Sequence, residues 1–329
     1  MLAQSSPRII FMGTPEFAVA SLDALVKAGY NIVGVITAAD KPAGRGMKLT
    51  ESAVKKYAAD SGLHILQPEK LKNPAFIEEL KALHADIQVV VAFRMLPEIV
   101  WDMPSLGTIN LHGSLLPQYR GAAPINWAVI NGEKETGVTT FKLQHEIDTG
   151  NILLQESFPI GENETAGEVH DRMKGIGAAL LVKTIRGLVA GTLQEQPQSS
   201  VVSRQLSVKD AELNPHDSPR PPHNLRHAPK IFTETCKINW NKSVDEIHNL
   251  IRGLSPFPAA FTFLSNKMLK VYSDKKETAV PSAAPGEFLT DNKTYLKFAA
   301  ADGYTHVTEI QLEGKKKMMI DEFLRGYRF

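Results

Sequence analysis

Asn110 and His112 stand two residues apart in the run Gly107-Thr-Ile-Asn-Leu-His-Gly-Ser-Leu-Leu-Pro-Gln-Tyr-Arg-Gly121. On a β-strand that spacing puts both side chains on one face and Leu111 on the other. A strand buried in a parallel sheet favours apolar residues on both faces, so two polar side chains at its carboxyl end need partners or a task. One reading is a hydrogen-bonded structural pair. The other is a site, because Gly113, Pro117 and Gly121 shape the following loop and leave its backbone accessible. A second segment, His145-Glu-Ile-Asp-Thr-Gly150, lies between two strand patterns. Asp148-Thr149-Gly150 taken alone reads as a turn. It also places an acid at a strand-end loop, where it can pair with His112. An Asn, a His and an Asp supply a carbonyl-polarising donor, a proton-transferring group and a partner that fixes the imidazole. That set suits acyl transfer to an amine with no covalent intermediate. Ser114 lacks the Gly-x-Ser-x-Gly setting of a nucleophile elbow. His112 and His145 lack the spacing of a helical metal-ligand motif, and no metal is expected.

A third segment, Asp40-Lys-Pro-Ala-Gly-Arg-Gly-Met-Lys-Leu49, is a basic, glycine-containing loop. Lys41, Arg45 and Lys48 can contact phosphates there, and a solvated charged loop is the plain alternative. A dinucleotide site is not expected, because only Gly13-Thr-Pro-Glu follows the first strand pattern where Gly-x-Gly-x-x-Gly would be needed.

The elements that must position these residues alternate. Strands are expected at 8–12, 31–37, 86–92, 107–112, 137–143 and 151–156. Helices are expected after Thr14-Pro15-Glu16, with the threonine as N-cap and the proline at the first helical position, and at 52–61, 74–83 and 166–189. This alternation predicts a parallel sheet covered by helices on both faces, with ligands beyond the carboxyl ends of the strands. Around 191–230 proline and small polar residues take over, as in Asn214-Pro-His-Asp-Ser-Pro-Arg-Pro-Pro-His223, and a linker is expected. Beyond it, a helix near 243–252 and short strands at 260–264, 269–272, 286–289, 295–298 and 307–312 suggest a small β-barrel.

The 329 residues suit two domains, and 43% hydrophobic content supports true cores. Lys+Arg 37 against Asp+Glu 36 excludes a wholly basic nucleic-acid coat and an acidic disordered chain. Residues 210–329 carry seventeen basic and fifteen acidic side chains, so the second domain is only slightly basic, and Lys315-Lys-Lys317 reads as a solvated turn or part of an RNA face. The start of the chain lacks a signal-peptide pattern, the apolar runs are too short to cross a bilayer, and the lone Cys236 makes no internal disulfide or cysteine zinc cage. A reduced, cytoplasmic protein is expected.

The chain resembles the methionyl-tRNA formyltransferases. The matching stretches are Ile9-Ile-Phe-Met-Gly-Thr-Pro-Glu-Phe17, Lys41-Pro-Ala-Gly-Arg-Gly46, Ile109-Asn-Leu-His-Gly-Ser-Leu-Leu-Pro117, Tyr119-Arg-Gly-Ala-Ala-Pro-Ile125 and Asp148-Thr-Gly150. Lys237-Ile-Asn-Trp240 and Arg252-Gly-Leu-Ser-Pro-Phe-Pro258 extend it more loosely to the C-terminal part. The resemblance implies transfer of the formyl group of 10-formyltetrahydrofolate to the α-amine of methionyl initiator tRNA. It implies a Rossmann-like parallel-sheet formyltransferase domain at 1–190, a linker at 191–230, and an oligonucleotide-binding-type β-barrel at 231–329 that contacts the tRNA. Carried over by position, Asn110, His112 and Asp148 match the catalytic trio, and Ser114, Leu115, Leu116 and Pro117 match the folate-contacting loop. Arg45, flanked by Lys41 and Lys48, lies in a loop that the family inserts near the tRNA acceptor end. A monomer with no membrane attachment is expected. Ala92-Phe-Arg-Met-Leu-Pro97 is one residue shorter than the family's usual form and carries Arg94 where glycine is common. Rival readings are a formyltransferase acting on glycinamide ribonucleotide, which would end near residue 210, one acting on an amino-sugar nucleotide, a 10-formyltetrahydrofolate hydrolase, and a non-catalytic folate- or RNA-binding protein.

Overall fold

The first apolar run becomes the central strand of a sheet. β1 (Arg8–Gly13) is buried from Ile9 onward and lies between β2 (Asn31–Ile36) and β6 (Ile87–Val91), parallel to both. The structure, a computed structural model, describes residues 6–43, 48–199 and 225–327, and side chains within 42–48 lie outside that description. The remaining elements of the first half are α1 (Glu16–Lys27), β3 (Lys41–Ala43), β4 (Lys48–Thr50), α2 (Ala53–Asp60), β5 (Ile65–Leu66), α3 (Pro74–Ala82), α4 (Glu98–Trp101) and β7 (Thr108–His112). They continue as β8 (Arg120–Gly121), α5 (Pro124–Ile130), β9 (Glu135–Lys142), β10 (Ile152–Pro159) and α6 (Ala166–Val189).

Seven strands form one sheet in the order β10-β9-β7-β6-β1-β2-β5. The five from β7 to β5 are parallel, and β9 is added antiparallel beside β7. The order reverses between β1 and β6, which opens a crevice at their carboxyl ends. Gly13 ends β1 there because a Cβ would lie 2.6 Å from that of Ala18 and 3.1 Å from the Val91 carbonyl. Helices cover both faces. α3 buries Phe76, Ile77 and Leu80 with Ile10, Met12 and Val90, while Gly177 of α6 lets that helix approach Leu111 on the opposite face. The entry to α1 differs from expectation: Pro15 occupies the N-cap and no side-chain hydrogen bond caps the helix, so Thr14 does not serve there.

The chain divides into two compact units, Met1–Arg120 with Gly137–Ser157 and Asp171–Arg226, and Gly121–Thr136 with Phe158–His170 and His227–Phe329. Of the segment read as a linker, residues 191–199 are packed into the first unit, where Gln196 pairs by both backbone groups with Ile152. Residues 200–224, including the Pro/His-rich stretch, lie outside the described residues.

In the second unit, after the short β11 (His227–Ala228), β12 (Ala260–Leu264), β13 (Lys267–Thr278), β14 (Phe288–Thr290), β15 (Leu296–Ala299), β16 (Gly303–Leu312) and β17 (Met318–Met319) form an antiparallel half-barrel. Its concave side takes α7 (Val244–Leu254), whose Val244, Ile247, Ile251 and Leu254 recur at helical spacing and are buried. A capping box between Ser243 and Glu246 starts this helix. Trp240 stacks on Phe298 at 4.7 Å between centroids. α5 lies against α7, with Asn126 donating to the Gly253 carbonyl at 2.8 Å.

Candidate active site

β7 delivers Asn110 and His112 to one face, as their spacing requires. Asn110 pairs in register with Val90 and Phe141, and His112 with Thr139, while Leu111 turns to α6. His112 is buried at 7% exposure and Asn110 is half-buried. No hydrogen bond to the Asn110 side chain occurs among the described residues, which leaves its amide available to a ligand.

His112 Nε2 lies 2.9 Å from the Tyr119 carbonyl. A carbonyl only accepts, so Nε2 carries a hydrogen and Nδ1 is the nitrogen left to exchange a proton. Nδ1 lies 3.9 Å from Asp148 Oδ2. That distance is too long for a direct hydrogen bond and fits an atom held between the two groups. Tyr119 itself sits at φ 59°, and its N–H donates to the Arg226 carbonyl. Asp148 comes from the loop joining β9 to β10, is buried, and has φ 54°, a sparsely populated conformation for a non-glycine residue. Two residues on, a Cβ at Gly150 would lie 1.7 Å from the Lys142 carbonyl, so only glycine fits. The structure therefore brings Asp148 to His112 from a loop with no sequence periodicity of its own.

The loop after β7 turns its side chains inward. Ser114 and Leu116 are fully buried, Pro117 is buried, and Leu115 is half-buried. The Ser114 hydroxyl donates to the Gln118 carbonyl at 2.6 Å. What this loop offers a ligand is backbone. Its shape rests on two residues that sequence reasoning missed. Thr139 Oγ1 donates to the Ser114 carbonyl and accepts from the Leu116 N–H, at 2.7 and 3.1 Å. Gln155 Nε2 donates to the Leu116 carbonyl and to Thr139 Oγ1, both at 2.9 Å.

The basic segment forms a hairpin of β3 and β4, with Lys41 opposite Thr50 and Ala43 opposite Lys48. Lys41 is exposed, the Lys48 side chain is not among those described, and Arg45 lies outside the described residues. The hairpin's base is braced: Asp40 accepts from Lys55 and from Gln67 Nε2 (2.9 Å), and the Lys55 ammonium holds the Asp40 carboxyl below its ordinary range. Arg94 donates to the carbonyls of Pro68 and Glu69, so its guanidinium ties the 92–97 loop to the neighbouring chain. Among the described residues no group of three or more His, Cys, Asp or Glu side chains could hold a metal ion. No helix there is long and apolar enough to cross a membrane.

Comparison with known proteins matches a family described as formyl transferase over residues 7–185 and one described as formyl transferase, C-terminal domain, over 230–328. A methionyl-tRNA formyltransferase of Bacteroides fragilis is 50% identical over 325 residues, covering 97% of this chain and 95% of its own. One of Phocaeicola vulgatus is 53% identical, covering 98% and 96%. The chain belongs to the methionyl-tRNA formyltransferase family. It is thus a formyl-transferring enzyme. Two solved structures share the fold. WlaRD, a sugar 3N-formyltransferase crystallised with dTDP and 5-N-formyl-THF, has a TM-score of 0.62 at 23% identity, covering 94% of this chain and 99% of its own. HypX of Aquifex aeolicus, in complex with tetrahydrofolic acid, has a TM-score of 0.61 at 16% identity, covering 98% and 48%.

Proposed function

We propose that the chain transfers the formyl group of 10-formyltetrahydrofolate to the α-amino group of methionyl initiator tRNA, with Asn110, His112 and Asp148 as the catalytic residues. The observation that carries this reading is the pairing of His112 Nδ1 with Asp148 across 3.9 Å, beside the unengaged Asn110 amide at the carboxyl end of β7. The amine attacks the formyl carbon, and the carbonyl oxygen becomes an oxyanion. Asn110 donates to that oxygen; loss of one such donor costs about 10²–10³ in rate. The attacking nitrogen gives up one proton towards Asp148, directly or through a water between it and His112. Asp148 passes that proton to His112 Nδ1, the nitrogen that the Nε2–H tautomer leaves free to accept it, and Nδ1 delivers it to the departing folate nitrogen, so the carbon–nitrogen bond breaks with no net proton change.

Folate would lie along the backbone of the Ser114–Leu115–Leu116–Pro117 loop, and the hairpin carrying Lys41, Arg45 and Lys48 would meet the tRNA. The second unit adds two Lys–Phe pairs suited to nucleic acid: Lys237 over the exposed Phe263 ring at 5.8 Å and Lys230 over the exposed Phe232 ring at 5.7 Å. The reading includes action as a cytoplasmic monomer. The test is to incubate the purified protein with 10-formyltetrahydrofolate and methionyl initiator tRNA, methionyl elongator tRNA or no acceptor. Formyl-methionine confined to the initiator is the expected result. Folate release without an acceptor would make it a hydrolase, and no reaction with any acceptor would point to nucleotide-sugar amines.

A further inference from the structure

We propose that Gln198, locked by Arg120, is a positioning residue that sets the separation between the His112 imidazole and the Asp148 carboxylate. The inference rests on the catalytic roles proposed above for those two groups. Gln198 comes from the segment after α6, far in sequence from either, and is 5% exposed. Its Nε2 donates to the Asp148 carbonyl at 2.8 Å and to the Gly150 carbonyl at 2.9 Å. Its Oε1 accepts from Arg120 Nε at 3.0 Å and from a second guanidinium nitrogen of the same residue. Two carbonyls on one side and a guanidinium on the other fix which way the amide faces.

These bonds close a ring. Arg120 follows Tyr119, whose carbonyl holds His112 Nε2, and Gln198 holds the backbone of Asp148. The ring's single gap is the 3.9 Å between His112 and Asp148. Asp148 keeps a positive φ, a conformation that persists only where the surroundings over-determine it, and the Gln198 amide supplies that constraint. Gln198 is itself anchored. Gln196 pairs with Ile152, and Glu195 takes Lys142 at 2.6 Å and Asn151 at 3.1 Å, so the segment is stitched to the ends of the strands that carry the Asp148 loop.

The test is Gln198→Met, which keeps length and volume but removes both the donors and the acceptor. Displacement of a reacting group by about 1 Å costs roughly 10² in rate, so kcat is expected to fall by about that factor with the KM for methionyl-tRNA little changed. In an Asp148→Asn background the same change should cost almost nothing, because two residues acting through one group are not additive. The imidazole titration of His112, followed by NMR, should also move in Gln198→Met. An equal loss in the Asp148→Asn background, or unchanged turnover with an unchanged titration, would overturn the proposal. Should Gln198→Met fail to fold, Arg120→Met must show the same Asp148-dependent loss, and its absence is equally fatal. Full turnover by Asp148→Asn alone would instead sink the reading of the trio, and this inference with it.

Discussion

Replacing Thr139 by valine removes one hydroxyl and keeps the side chain's shape, so its effect can be worked out bond by bond. Thr139 is fully buried, and its Oγ1 serves the Ser114 carbonyl, the Leu116 N–H and Gln155 Nε2. In Thr139→Val the Leu116 N–H loses the partner it has in the native loop. Gln155 keeps its bond to the Leu116 carbonyl and, being half-buried, can turn its other N–H towards water. The Ser114 carbonyl loses a donor. A buried group left without a partner costs about 1–3 kcal/mol, so the total should be about 2–4 kcal/mol. At about 2–4 °C per kcal/mol for a unit of this size, Tm should fall by roughly 5–15 °C. Thr139→Ser keeps the hydroxyl and loses one methyl, and should cost only about 1 kcal/mol. Calorimetry checks stability, and steady-state kinetics checks function: the KM for the folate donor should rise in Thr139→Val while that for methionyl-tRNA holds. A Tm within 2 °C of the native value (less than about 1 kcal/mol) would refute the bonding argument. A large loss of Tm with an unchanged folate KM would show that the loop after β7 does not touch the donor.

His112→Ala should fold normally and lose about 10²–10⁴ in kcat, the usual worth of a positioned proton-transfer group; near-native turnover would remove His112 from the chemistry. Glu195 is held below the ordinary carboxylate range first by Lys142 and then by Asn151. Because its folded pKa is depressed, its stabilisation is present above the unfolded value near 4.5 and is lost as pH falls through the folded one. Glu195→Gln should therefore flatten the acid limb of a stability–pH curve, and an unchanged limb would show that the contact is inert. Arg252 is buried, its guanidinium donating to Asn249 Oδ1 at 2.8 Å and to the Glu164 carbonyl at 3.1 Å, and burial pushes its pKa down. Arg252→Met should destabilise the second unit by about 2–4 kcal/mol in urea unfolding, and a loss below about 1 kcal/mol would contradict the role of those bonds.

Strands and helices were legible where burial imposes a period. The apolar runs at β1 and β6 and the 3.6-residue stripe of α7 leave their elements little alternative. Asn110 and His112 were legible for the opposite reason, as polar residues where the pattern calls for apolar ones. The antiparallel placing of β9 was not legible, because strand direction is set by connections and long-range pairing. The start of α1 was misjudged by one position, since a proline fits the N-cap as well as the first helical turn. Gln198 left no signal: its Nε2 serves two backbone carbonyls about fifty residues away, its Oε1 takes an arginine 78 residues away, and neither partner leaves a local pattern in the sequence. Thr139 and Gln155 were hidden likewise, as ordinary polar residues of β9 and β10.

The division of labour around His112 follows from which atom each neighbour touches. The ring is held at Nε2 by a main-chain carbonyl, which no side-chain substitution removes directly, and that bond fixes the tautomer without Asp148. Asp148 faces the other nitrogen from beyond hydrogen-bond reach. A carboxylate whose task was to orient the imidazole would sit in direct contact with it, as a second acceptor. One held 3.9 Å away in a strained loop is placed for something that enters between them, and the space between two strand-end loops is where a parallel sheet admits a ligand. The Asp148 loop is held in that conformation by Gly150, against the Lys142 carbonyl, and by Gln198, at the Asp148 carbonyl. On the roles proposed for His112 and Asp148, the geometry separates the groups that would react from those that hold them, and the supporting residues are the harder ones to read in the sequence.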